Sequence, residues 1–88
     1  MTNREFLTNL FFRHDPVGII YRDSKDMINE YAPEARHVAK QLELGIPFKT
    51  AIHDVFSFFF RSGELIPKAE LVARMESEYY NFITKNVV

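Results

Sequence analysis

No cysteine occurs in the 88 residues of the chain, and glycine occurs only three times. Without cysteine there is no disulfide framework, no thiolate zinc site and no cysteine nucleophile, and a reducing compartment is the expected setting. Three glycines do not build a glycine-rich phosphate loop, and no nucleophile motif accompanies them, so no catalytic constellation and no cofactor are expected and the chain does not read as an enzyme. Long apolar runs are lacking too. Nothing approaches the ~20 residues of a membrane span. The stretch TNREFLTNLFFR after Met1 interleaves polar and apolar residues and has no signal-peptide core, which makes a soluble, cytoplasmic protein the expectation. Neither sign of charge dominates: eleven Lys and Arg face twelve Asp and Glu, for a net charge of -1. Direct nucleic-acid binding, which draws on clustered positive charge, is therefore disfavoured.

What the chain does have is apolar substance. Hydrophobic residues make up 47% and aromatics 15%, nine of them Phe, more than a disordered segment carries. At this length, residues 1–88 form one small domain with one core.

Four helical patterns run along it. Asn3 or Thr2 can cap a helix over 4–13, with Phe6, Leu7, Leu10 and Phe11 on one stripe. Asp15-Pro16 stops it, and Gly18 permits a sharp change of direction. Ile19, Ile20 and Tyr21 read as plugs under a connection, since no second strand-like run exists to pair with them. A short turn over 27–31 leads into a helix over 32–44. Pro33 and Glu34 suit its first turn, Tyr31, Ala35, Val38 and Leu42 form its inner stripe, and Gly45 ends it. Pro47 opens a third helix to about Ser62, with Phe48, Ile52, Val55, Phe56 and Phe59 at the middle of a wide apolar arc and Phe58 and Phe60 at its flanks. Pro67 opens a fourth to about Lys85, carrying Leu71, Val72, Met75, Tyr79, Phe82 and Ile83. The expected fold is all-α, a compact four-helix bundle with one long ordered connection between the first two helices. Connections of that length are uncommon and often functional.

Candidate site residues are few. The three histidines lie on separate elements. Glu34-Ala-Arg-His37 supplies one Glu-x-x-His pair, but a di-metal bundle site needs two, so no metal is expected. Asp23, Asp26, Glu30 and Glu34 are spaced as a solvated acidic surface, and such a surface complements a basic partner and speeds encounter with it. Phe12 and Tyr80 fall outside the apolar stripes of their helices and are the aromatic candidates for partner contact.

The run DPVGIIYRDSKDMINEYAPEA carries a resemblance. Asp15-Pro16-Val17-Gly18, a spacer, then Asn29-Glu30-Tyr31 and Glu34-Ala35 resemble small helical bacterial proteins with a DP-aliphatic-G turn followed by an acidic-Glu-Tyr motif, some of which look like immunity proteins of contact-dependent or polymorphic toxin systems. The resemblance covers about a quarter of the chain closely, and Asn29 stands where the commoner first acid would be. It implies Asp15 and Pro16 as a helix stop, Gly18 as the turn, and Glu30 and Tyr31 as the lead-in to the second helix. These residues have a physical role without catalysis: Asp15 can accept hydrogen bonds in the turn, and Tyr31 can bury its ring while its hydroxyl finds a partner. The function implied is binding and occlusion of a cognate toxin domain, such as a basic nuclease, by a monomer or homodimer. The alternative is a small helical adaptor or regulatory subunit acting by protein contact or self-association.

Overall fold

The computed structural model describes residues 1–18, 28–60 and 67–86. The expected plugs Ile19, Ile20 and Tyr21, most of the long connection, and the expected end of the third helix at Ser62 and Gly63 lie outside them.

Four helices form, in the order α1 (Asn3–His14), α2 (Ala32–Glu43), α3 (Phe48–Phe59) and α4 (Ala69–Asn86). Thr2 rather than Asn3 caps α1, because Thr2 has Glu5 three residues on. The Glu5 N–H donates to Thr2 Oγ1 at 3.1 Å and the Thr2 N–H donates to Glu5 Oε1 at 3.0 Å, closing a capping box. At the other end Asp15 adopts a left-handed conformation (φ 46°, ψ 61°), and its N–H donates to the Phe11 carbonyl. Asp tolerates this region better than most residues with a Cβ.

Helix α2 ends on a Schellman turn. Gly45 sits at φ 85°, its N–H donates to the Leu42 carbonyl, and the Ile46 N–H donates back to Gln41. Pro47 then takes the cap position of α3, where the missing N–H costs nothing. Helix α3 is shorter than its apolar pattern predicts. It stops at Phe59, and Phe60 leaves helical geometry at φ -122°, ψ 75° with its ring stacked 5.9 Å from that of Phe56. Consecutive aromatics lose side-chain freedom against the preceding turn and propagate a helix poorly.

The helices close a ring in which α1 packs on α2, α2 on α3, α3 on α4 and α4 on α1. Most of the stripe residues read from the periodicity turn inward, joined by Ala39 and Ala51, while Phe6, Leu42, Phe59, Leu71 and Ile83 are only partly buried. Leu7, Leu10 and Phe11 of α1 meet Ala35, Val38 and Ala39 of α2, Phe48, Ala51, Ile52, Val55 and Phe56 of α3, and Val72, Met75 and Tyr79 of α4. Aromatic rings organise the centre: Phe11 stands edge-on to Phe56 at 5.4 Å and to Tyr31 at 6.2 Å, while Phe48 stacks on Tyr79 at 5.4 Å. Phe6 stacks on Phe82 at 4.2 Å along the α1–α4 edge. Among the described residues no helix is long and apolar enough to cross a membrane.

Candidate contact surface

The DP-aliphatic-G and Asn-Glu-Tyr residues come together at one end of the α1–α2 seam. Pro16 is buried, Gly18 turns at φ 71°, and the Gly18 N–H donates to the Asp15 carbonyl at 3.0 Å. Tyr31, at the start of α2, is fully buried. Its hydroxyl donates to Asp15 Oδ1 at 2.6 Å and accepts from the Val17 N–H at 3.3 Å. A hydroxyl given to a carboxylate is a strong class of hydrogen bond, worth about 1.5–3 kcal/mol. Asp15 and Tyr31 thus form a latch that fixes the start of α2 against the end of α1.

The two described acidic candidates are placed differently. Asp23 and Asp26 lie outside the described residues. Glu30 is exposed, whereas Glu34, expected in solvent, is buried at 5% exposure. The reason is register: Glu34 stands three residues after Tyr31 and four before Val38, on the stripe that turns inward. Burial pushes its carboxyl above the usual carboxylate range, a contact with its own backbone N–H acts against that, and nearby Glu30 adds to the rise. Its helical neighbour His37 faces outward, with its ring 5.3 Å from Phe59. Glu34 and His37 therefore do not present one paired site. Among the described residues no group of three or more His, Asp and Glu side chains is placed to hold a metal ion. Of the aromatic candidates, Phe12 is half-buried, while Tyr80 is exposed on α4 with its ring 5.6 Å from that of Tyr79.

A further exposed feature is one that the sequence pattern did not single out: the outer side of α2 and what flanks it. Toward α1, two adjoining hollows of about 580 and 540 Å³ are both lined by Arg4 and Arg36. The first also holds His37 and Lys40, and the second also holds Thr8, Asn9 and Asn29. Toward α3, a hollow of about 380 Å³ is lined by His37, Gln41, Asp54, Val55, Phe58 and Phe59. Gln41 Oε1 is buried without a hydrogen-bond partner among the described residues. Phe58 is 66% exposed and stands edge-on to Phe59, which in turn meets His37 edge-on. His37 lines hollows on both sides, so a cationic half and an aromatic half meet at one residue.

Two cations elsewhere on the helical surface are paired, whereas Lys68, Arg74 and Lys85, like those of the groove, are not paired among the described residues. Arg13 pairs with Glu78 at 3.1 Å, His14 pairs with the other oxygen of Glu78, and Lys49 reaches Glu76 at 3.9 Å. Burial pushes the Glu78 carboxyl up, but hydrogen bonds from His14 and Arg13 and their charges outweigh it and hold the group below its usual range. Arg4, Arg36 and Lys40 have no such partner among the described residues. Arg36 and Lys40 are also four apart on one helix, a like-charge spacing that costs about 0.2–0.5 kcal/mol.

No family model, curated protein or solved structure matches the chain.

Proposed function

We propose that this chain works by binding another protein and covering its working surface, in the manner of an immunity protein that neutralises a cognate bacterial toxin domain. The observation that carries the reading is the outer face of α2, where Phe58, Phe59 and His37 adjoin Arg36, Arg4 and Lys40. Arg and large aromatics supply most of the energy at protein interfaces, and a solvent-facing Phe is a natural anchor for a partner pocket. The resemblance of the Asp15–Tyr31 motif to small helical immunity proteins favours a toxin as that partner. The Asp15–Tyr31 latch contributes by giving the face a fixed start of α2 to stand on.

The test is co-expression with a toxin domain encoded beside this gene, and a neighbourhood that encodes none would itself overturn the toxin reading. The expected outcome is restored growth and a stoichiometric complex on size exclusion, both weakened by Phe58→Asp. Unrestored growth with no complex would sink the toxin reading. A mass that rises with concentration in the absence of toxin would point instead to self-association by an adaptor.

A further inference from the structure

The charge of the exposed face assigns a chemistry to whatever lies on it. Of the residues expected to form an acidic surface, Glu34 turns inward, and the groove along the α1–α2 seam gathers Arg4, Arg36 and Lys40. Arg36 and Lys40 repel mildly at their helical spacing. What sets the groove cations apart from Lys68, Arg74 and Lys85, also unpaired among the described residues, is that all three line adjoining hollows. Such an arrangement is favourable once an anion enters the groove.

We propose that this groove is the docking site for an acidic segment of a partner protein, whose carboxylates meet Arg4, Arg36 and Lys40. This deepens the contact function above and rests on it for the partner being a protein. Two further features select a peptide over a nucleic-acid backbone. The cations are too few for strong phosphate binding, which grows with each phosphate neutralised. Glu43 and Glu5 in the same hollows favour a segment whose acids are interspersed with neutral residues over a backbone charged at every unit. The intervening Asn9 and Asn29 offer amides that both donate and accept, as a peptide main chain requires, and the aromatic half across His37 takes an apolar residue next to the acids. Helix α1, with 12 residues, is about 18 Å long, a span that an extended segment of about six residues covers.

The test is a fluorescence-anisotropy titration of the full chain with three labelled probes: a short Glu-rich peptide containing one Leu, the same peptide with Lys for Glu, and a single-stranded DNA of the same charge as the acidic peptide. The acidic peptide is expected to bind about tenfold or more tightly than the Lys peptide at low salt, and the margin is expected to shrink as salt rises. Arg4→Glu with Arg36→Glu should abolish the preference, and Arg36→Gln should reduce it. Arg74→Glu, exposed on α4, should leave it unchanged. Circular dichroism melts serve to check that each variant is folded. Equal binding of the two peptides, absence of binding by both, or equal loss in the Arg74 and Arg4/Arg36 variants would overturn the proposal, and tighter binding of the DNA would replace it with a nucleic-acid site. No toxin enters this titration, so its failure and a failure of growth rescue are separate results.

Discussion

The seam between α1 and α2 is built in two ways. At one end Asp15 and Tyr31 are locked together, ring buried and hydroxyl given to the carboxylate. Along the outer groove Arg4 and Arg36 face the same hollows and neither has a counter-ion among the described residues. One pair of helices therefore carries both a closed polar contact and a set of charges without described counter-ions. The difference separates residues that hold the fold from residues left available, and it does so on opposite sides of α2. Tyr31, Ala35 and Val38 point inward, while Arg36 and Lys40 point out.

Breaking the latch should give the largest effect on stability. Tyr31→Ala removes a buried ring that meets Phe11 and Phe56 and leaves a cavity, so it should cost about 3–5 kcal/mol in urea denaturation. Tyr31→Phe keeps the ring but takes the hydroxyl from Asp15, and about 1–3 kcal/mol is expected.

Next comes Glu34. Its folded pKa is raised, so the stability tied to its protonated form is complete below the ordinary value of 4.5 and is lost as pH rises through the higher folded value. Glu34→Gln removes that loss and should stabilise the protein at neutral pH by up to about 1 kcal/mol, with the difference vanishing in acid melts. Equal stability of variant and wild type at pH 7 would refute the burial cost.

The groove should behave the other way. Arg36→Glu and Phe58→Ser should leave stability within about 0.5 kcal/mol of wild type while weakening partner binding. A large loss of stability in either would merge the two halves of the comparison. Smallest is Glu78, whose depressed pKa gives the opposite pH sign to Glu34. Its pairing with Arg13 and His14 supports the fold above the ordinary value of 4.5 and fades as pH falls through the lower folded value. Because these groups are partly exposed, Glu78→Gln should cost only about a few tenths of a kcal/mol.

Periodicity and the placement of Pro and Gly made the helices legible, since Pro33, Gly45, Pro47 and Pro67 each stand beside a helix end that the structure contains. The inner stripes were equally readable because burial repeats at fixed spacing. What stayed hidden depends on more than one helix. The charge of Glu34 points to solvent, whereas its position relative to Tyr31 and Val38 places it inside. Periodicity puts Phe58 at the flank of a core arc too wide for α2 and α4 to cover, and the bundle leaves that edge in solvent. The meeting of Arg4 with Arg36 is set by how α1 lies on α2, and residues 32 positions apart carry no local signal of it. The stop at Phe59 was missed because apolar pattern extends through Phe60 and says nothing of where aromatic crowding ends a helix.

The latch also has an optical consequence. The chain has no tryptophan, so its ultraviolet emission comes from its four tyrosines. A phenol becomes far more acidic when excited, and one already bonded to a carboxylate hands over its proton and goes dark. In the native protein Tyr31 is such a phenol, 2.6 Å from Asp15 Oδ1. Separation of α1 from the start of α2 should therefore register as a rise in tyrosine emission, a built-in readout of that junction that needs no attached dye.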